Sequence, residues 1–201
     1  MTVFASQEEL RSQFRTPNKT VRDKQLDRLD EHCRDFIAHS PFVVVSTADA
    51  EGRCDASPRG GPPGFVRVLD DGRLSLPDLS GNNRLDSFGN IVDNPWIGML
   101  FLVPAVGETL RVNGRAQVER SDDDGTVSVV VDVTEAYLHC AKAFRRSGLW
   151  DPSSWPDTSD MARPARMLRD QVAPDLEVDA IEHYLEQDYA ETLWDPSRTT
   201  D

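Results

Sequence analysis

The sequence predicts a single, mainly β domain with flanking helices, built around a barrel. Apolar residues flank the Asp-Asp-Gly sequence at 70–72 as they do in a tight β-hairpin. Residues 42–48 form a nearly continuous apolar strand, and residues 109–119 alternate apolar with polar side chains as a half-buried strand does. With 201 residues, the chain is long enough for one sizeable core and too short for two full domains.

The first forty residues predict a polar segment followed by an amphipathic helix at 20–39. Apolar side chains recur there at spacings of three and four, namely Leu26, Leu29, Cys33, Phe36 and Ile37. Thr20 with Asp23 resembles a capping box, and Pro41 ends the helix. We expect the thiol of Cys33 in the core.

Residues 41–155 predict the barrel, with about six strands, and residues 156–201 predict a helical tail. The predicted strands of the barrel are 42–48, 53–57, the two arms of the hairpin, 96–103, 109–119 and 127–133. A short helix is expected at 85–93, and the segment from 137 to 146 is expected to lead off the last strand. In the tail, residues 161–172 and 178–193 are expected to be helical.

Charge and cysteine content exclude several classes of function. A net charge of −13 argues against nucleic acid and against anionic membranes as partners, because both are bound through clustered cations. The three cysteines include no Cys-x-x-Cys pair, which predicts a reduced, cytoplasmic protein. No signal peptide or membrane-spanning run is evident. The neighbouring His-Cys pairs at 32–33 and 139–140 lack the spacing of zinc ligands, so no metal is expected.

The turn after the hairpin is unusually rich in hydrogen-bond donors. Hydroxyl, amide and guanidinium groups together suit a phosphate, and the start of the predicted helix would add backbone N–H groups. Arg59, at the end of an earlier strand, would reach the same place. On composition alone, a plain surface loop is the favoured interpretation. The donor-rich residues are Ser80, Gly81, Asn82, Asn83 and Arg84.

Several motifs resemble one known family. They are SPRG from Ser57, LPDLSGNNRLDSFGNI from Leu76, NPWIGMLFLVP from Asn94, ETLRVNGRA from Glu108, and EAYLHCAKAFRRSGLWDPSSW from Glu135. Together they resemble the pyridoxamine 5'-phosphate oxidase-like FMN-binding split barrels, in the branch of uncharacterised "probable FMN-dependent" proteins. The resemblance covers residues 41–117 and 135–155.

The resemblance implies a split β-barrel homodimer with FMN at the interface between subunits. It implies that the phosphate contacts Arg59, Asn82, Asn83 and Arg84. Lys142 and Arg145 would place charge near the flavin ring, coming from the partner subunit, although a solvated turn explains their cluster equally well. Arg111 is either a flavin contact or part of a solvated face. The full set of expected flavin contacts is Arg59, Gly60, Ser80, Asn82, Asn83, Arg84, Thr109, Arg111, Lys142 and Arg145.

The function implied is that of an FMN-dependent oxidoreductase acting on an unknown small molecule. No general base is named, because the flavin ring itself accepts hydride or electrons. The alternatives are a non-catalytic flavin or haem store or sensor, and a deazaflavin-dependent reductase on the same fold. We do not expect a true pyridoxine phosphate oxidase. In those enzymes Trp near the chain end is followed by an Arg-Leu-x-Pro-like segment, whereas here Asp195 follows Trp194.

Overall fold

A computed structural model describes residues 3–79, 81 and 83–193 of the chain. The described strands form one antiparallel sheet of seven strands in the order β2-β1-β5-β6-β7-β4-β3. The strands are β1 (Phe42–Ala48), β2 (Cys54–Gly60), β3 (Arg67–Asp70), β4 (Arg73–Pro77), β5 (Trp96–Leu102), β6 (Thr109–Arg120) and β7 (Val127–His139). The helices are α1 (Gln7–Ser12), α2 (Lys19–Asp23), α3 (Glu31–His39), α4 (Asp86–Asp93), α5 (Lys142–Ser147), α6 (Pro164–Val172) and α7 (Val178–Thr192), with a 3₁₀ turn at Pro152–Ser154.

The predicted fold class, a mainly β split barrel with flanking helices, is confirmed, and the sheet is not closed. Its end strands β2 and β3 each pair with one neighbour, β1 and β4 respectively. The seven strands correspond to the seven segments predicted as strands, including both arms of the hairpin at 70–72, and β4 pairs with β7 along its length. β2 also begins and ends later than expected, and it carries Arg59 and Gly60 within the strand.

The core lies between the inner face of the sheet and helices α3 and α4. Val43 and Val45 of β1 alternate inward as the period of two requires. The largest fully buried side chain is Phe101 of β5, and Ile37 of α3 and Ile91 of α4 belong to the same cluster. Each such side chain contributes about 1.5–3 kcal/mol by leaving water.

The single helix expected at 20–39 is wrong, because the chain forms two helices with an extended segment between them. Leu26 exchanges both backbone hydrogen bonds with Ala136 of β7, at 2.9 Å each. The second helix then starts at a new cap, where the Asp30 side chain accepts the N–H of Cys33 at 2.8 Å. The expected burial of Cys33 is confirmed, since only 7% of the residue is exposed.

Two other elements have boundaries that differ from those expected, since β7 ends at His139 and α6 begins at Pro164 rather than at 161. β7 continues through Tyr137 to His139, which were expected to lead off the strand, because β6 pairs with it as far as Thr109. In the tail, α6 and α7 pack on each other and bury Ala165 and Ile181. Among the described residues, no helix is long and apolar enough to cross a membrane.

Candidate functional site

A pocket of about 430 Å³ lies between strand β2 and the start of helix α4. Asp55, Ser57 and Arg59 reach it from β2, at alternate positions that share one face of the strand. They lie opposite buried residues of β1, so they face the same side of the sheet as α4. We call this the β2–α4 pocket. It is lined by Asp55, Ser57, Pro58, Arg59, Gly60, Asp78, Leu79, Gly81, Asn83, Arg84, Leu85, Asp86, Ser87 and Phe88.

The first turn of α4 forms one wall of the pocket. The first N–H groups of a helix have no partner within the helix, and the residue at the cap position, Leu85, makes no side-chain hydrogen bond to them. The positive end of the helix dipole therefore faces the pocket. Asn90 Nδ2 donates to Thr47 Oγ1 at 2.9 Å, which ties α4 to β1. Asn83 enters this wall in a left-handed conformation with φ of 56°.

Ser87 connects the two walls of the pocket by hydrogen bonds. Its hydroxyl donates to Asp55 Oδ2 at 2.8 Å and accepts from Arg59 Nη2 at 3.4 Å. Arg59 Nη1 also donates to the Pro58 carbonyl at 2.9 Å and to the hydroxyl of Ser57. Ser87 is only 4% exposed, so its position is set by packing. The guanidinium of Arg59 is therefore held in one orientation before any ligand arrives.

Arg84 stands at the exposed rim of the pocket. Its Nε donates to Asp86 Oδ2 at 2.8 Å, and 74% of its side chain is exposed. The hydrogen bond to Asp86 raises the pKa of the Arg84 guanidinium above its ordinary value. An anionic ligand would therefore compete with the Asp86 carboxylate for Arg84. Exposed ion pairs of this kind are weak, because water and salt screen the charges.

The structure divides the residues that the sequence had assigned to one site. Arg59, Gly60, Asn83 and Arg84 lie together in the β2–α4 pocket. Ser80 and Asn82 lie outside the described residues. The remaining four lie elsewhere, with Thr109 and Arg111 on β6 and Lys142 and Arg145 on α5.

A second cavity of about 380 Å³ borders α5. Arg145 lines it together with Phe144 and Trp150, whose rings pack at 5.5 Å, and Trp150 Nε1 donates to the carbonyl of Val106 at 2.9 Å. No described residue lines both cavities. Within the described part of one chain, Arg145 therefore lies apart from the β2–α4 pocket.

The expected flavin contacts did not include Asp55, Ser57 or Ser87. For the first two, the signal was present in the alternation along β2, which places them on the same face as Arg59. Ser87 occupies the first turn of the predicted helix, and no local pattern shows that it meets Asp55, which is 32 residues away in the chain. Within residues 3–79, 81 and 83–193, no group of three or more His, Cys, Asp or Glu side chains is placed to hold a metal ion.

A family model described as "Pyridoxamine 5'-phosphate oxidase" matches residues 29–172, which is more than half of the chain. The chain belongs to the pyridoxamine 5'-phosphate oxidase family. The matched region includes the β2–α4 pocket and the whole sheet. No curated protein matches the chain.

Several solved structures resemble the chain over about half of its length. HupZ of Group A Streptococcus is 17% identical, with a TM-score of 0.44, covering 54% of this chain and 92% of its own. General stress protein 26 of Bacillus anthracis is 14% identical, with a TM-score of 0.39, covering 53% and 93%. HutZ of Vibrio cholerae, a haem storage protein, is 13% identical, with a TM-score of 0.40, covering 56% and 94%.

Proposed function

We propose that this protein is an FMN-dependent oxidoreductase acting on a small molecule, with the phosphate of FMN bound in the β2–α4 pocket. The observation that carries the proposal is the meeting of two guanidinium groups with the open N-terminus of α4 in one pocket. Guanidinium groups and helix N-termini both favour phosphate. A volume of about 430 Å³ lies within the range of small-molecule sites.

The pocket also carries negative charge, which restricts the ligand. Asp55, Asp78 and Asp86 line it beside the two arginines. A ligand that presents only anionic groups would be repelled there, whereas one that joins a phosphate to hydroxyl groups offers donors to these carboxylates. FMN carries a phosphate and hydroxyl groups on one flexible chain, so the donor and acceptor set fits it.

The two arginines and the first turn of α4 would have distinct tasks in binding. Arg59, held by Ser87, would supply fixed N–H donors to the phosphate, and the first turn of α4 would supply backbone N–H groups. Arg84 exchanges Asp86 for the ligand and closes the exposed side. When bound, the flavin supplies the hydride or electron chemistry of the reaction. The protein's part is to orient the cofactor through its phosphate.

We further propose that the protein is a homodimer with the flavin site at the interface. Thr109, Arg111, Lys142 and Arg145 lie away from the β2–α4 pocket within one chain. In a dimer, a second copy would supply Lys142 and Arg145 to the ring. Size-exclusion chromatography with light scattering checks this, with a mass twice that of the chain expected.

The experiment that tests the cofactor compares FMN with riboflavin. We expect the purified protein to be yellow or to bind added FMN, and to bind FMN at least tenfold more tightly than riboflavin, because charge-assisted hydrogen bonds to the phosphate contribute about 1.5–3 kcal/mol. Calorimetric titration measures both affinities. Equal affinities would show that the phosphate of FMN does not bind in the β2–α4 pocket.

Titration with haem and with a deazaflavin tests the two other ligands, and tighter binding of either would overturn FMN as the cofactor.

A second measurement distinguishes an enzyme from a store or sensor. The absorbance of bound flavin is followed anaerobically with NADH and NADPH, and then in air. An oxidoreductase is expected to show reduction and reoxidation with turnover. Flavin that stays oxidised with every donor would favour storage or sensing.

A further inference from the structure

A second group of charged side chains surrounds the ring of Tyr137 on β7. The guanidinium carbon of Arg111 lies 4.5 Å from the ring centroid, Lys24 Nζ lies 4.9 Å from it, and the ring of His139 lies 4.8 Å away. Distances below about 6 Å are those of cation–π contacts. We call Lys24, Arg111, Tyr137 and His139 the Tyr137 cluster. It shares no residue with the β2–α4 pocket.

The backbone sets the positions of the cluster. Arg111 of β6 and Tyr137 of β7 are directly opposite in the sheet, and His139 lies two residues further along the same face. Lys24 follows α2, and its Nζ donates to the carbonyl of Leu138 at 2.6 Å. The bridge between Leu26 and Ala136 holds this segment against β7. Three separate elements therefore converge on one ring.

The cluster carries more positive than negative charge. Glu135 is the carboxylate that faces it, and its oxygen accepts from Arg111 Nη2 at 2.7 Å and from Asn113 Nδ2 at 3.0 Å. The side chain of Glu135 is only 20% exposed, and the two donors hold its carboxylate in place. Two permanent cations against one carboxylate leave one positive charge, in a chain whose net charge is −13.

Arg111 also keeps a donor that the protein does not use. Its Nε is buried and has no hydrogen-bond partner, and no other side-chain atom of the described residues stands out in this way. A buried donor without a partner is costly, and such groups in native proteins call for an explanation such as a ligand or ion. Nε is covered by protein and Nη2 donates to Glu135, so a carboxylate would meet the remaining donors of the guanidinium, whose side chain is 37% exposed.

The ionisation of His139 reports on the same positive field. Burial is the first cause that lowers the pKa of His139, followed by the charges of Arg111 and Lys24, while Glu135 acts in the opposite direction. An anion held by Arg111 and Lys24 would cancel their field and raise the pKa of the imidazole.

We propose that the Tyr137 cluster is a binding site for a small carboxylate, with Arg111 and Lys24 as the charged donors. A monoanion matches the single excess positive charge, whereas a phosphate dianion would exceed it. None of its residues lines the β2–α4 pocket, where the phosphate of FMN is proposed to bind, so the two proposals can be tested separately.

The imidazole of His139 provides the test. The pKa values of the four histidines are measured by NMR in chloride, acetate and sulfate at one ionic strength, between pH 5.5 and 8.5, with His139→Gln used for assignment. We expect acetate to raise the pKa of His139 alone, because by linkage the anion binds roughly fivefold or more tightly when that imidazole is protonated. A larger response to sulfate than to acetate would overturn the carboxylate assignment.

Matched variants separate this site from the pocket. Lys24→Met, which keeps the apolar stem, should abolish the acetate response while circular dichroism shows a folded protein. Lys19→Met removes the same charge from the adjoining helix and should leave the response unchanged. Arg84→Ala should also leave the acetate response of His139 unchanged. Failure of the FMN proposal can therefore be distinguished from failure of the carboxylate site. An equal pKa of His139 in chloride and acetate, or an acetate response that survives Lys24→Met, would overturn the site.

Discussion

At the scale of single residues, Arg59 and Arg84 share a pocket but are held differently. Arg59 donates to Ser87 and to the carbonyl of Pro58, so its guanidinium is oriented in advance. Arg84 is exposed and pairs with Asp86. Preorganised donors lose little freedom on binding, whereas an exposed side chain must be ordered by the ligand. Removing Arg84 therefore tests the ligand with the least effect on folding.

Arg84→Glu should lose the flavin while the protein stays folded. A charge-assisted hydrogen bond is worth about 2 kcal/mol, so we expect the affinity for FMN to fall about 30-fold or more, since the new carboxylate also repels phosphate. Calorimetry measures the affinity, and circular dichroism measures the fold. Arg67→Glu is the matched control, because it reverses an exposed charge on β3 outside the pocket. Wild-type FMN occupancy in Arg84→Glu would place the phosphate elsewhere.

At the scale of elements, the segment before β1 shows how a helical pattern can be interrupted. Leu26, Leu29 and Cys33 keep helical spacing, yet Leu26 takes its backbone hydrogen bonds from β7 and Leu29 donates its N–H to the carbonyl of Asp71 at 2.7 Å. Leu29 and Cys33 are still buried. The apolar pattern therefore correctly predicted burial of these two, and tertiary hydrogen bonds decided the backbone conformation.

Burial of Cys33 on α3 makes the free energy of unfolding fall as the pH rises into the alkaline range. Burial, followed by the hydrogen bond to Asp30, raises the pKa of the thiol from 9.0 to about 11. Because the folded pKa lies above the unfolded one, the unfolded state releases its proton first as pH rises. The contribution is therefore complete below pH 9 and is lost progressively between pH 9 and 11.

Cys33→Ala should remove this pH dependence. We expect the free energy of unfolding of the wild type to fall more steeply than that of Cys33→Ala between pH 8.5 and about 10.5, whatever their offset at pH 8.5. Urea titrations under reducing conditions give both slopes. Cys54→Ala, which removes an exposed thiol, should keep the wild-type slope. Parallel pH curves for Cys33→Ala and the wild type would show that the Cys33 thiol ionises alike in both states.

At the scale of the whole molecule, the acidic chain brings four of its cations into two clusters. The β2–α4 pocket mixes two arginines with three aspartates, and the Tyr137 cluster holds two further cations against Glu135. Each place suits one anionic group with a modest charge. The chain end that would distinguish a true pyridoxine phosphate oxidase, at 194–201, lies outside the described residues.

We expect no oxidation of pyridoxine or pyridoxamine 5'-phosphate, although the chain belongs to the family that bears the name of this activity. A second phosphate beside FMN needs its own cations to offset repulsion and desolvation, and Asp195, rather than an Arg-Leu-x-Pro-like segment, follows Trp194. Incubation of flavin-loaded protein with pyridoxine 5'-phosphate in air, followed by assay of pyridoxal 5'-phosphate, decides this. A known oxidase in the same assay is the positive control. Turnover of about 1 per second or more would contradict the expectation.

The sequence by itself determined the strands and the class of the fold, because strand alternation and the Asp-Gly hairpin are local patterns. It also placed Arg59 and Arg84 at one site, through motifs shared with the family. Tertiary structure alone decided that Ser87 bridges Arg59 and Asp55, and that Arg111 joins Lys24 around Tyr137. These contacts depend on sheet order and on α4 packing across β1 and β2. Residue periodicity carries information on which face a side chain occupies, but not on which distant element will cover that face.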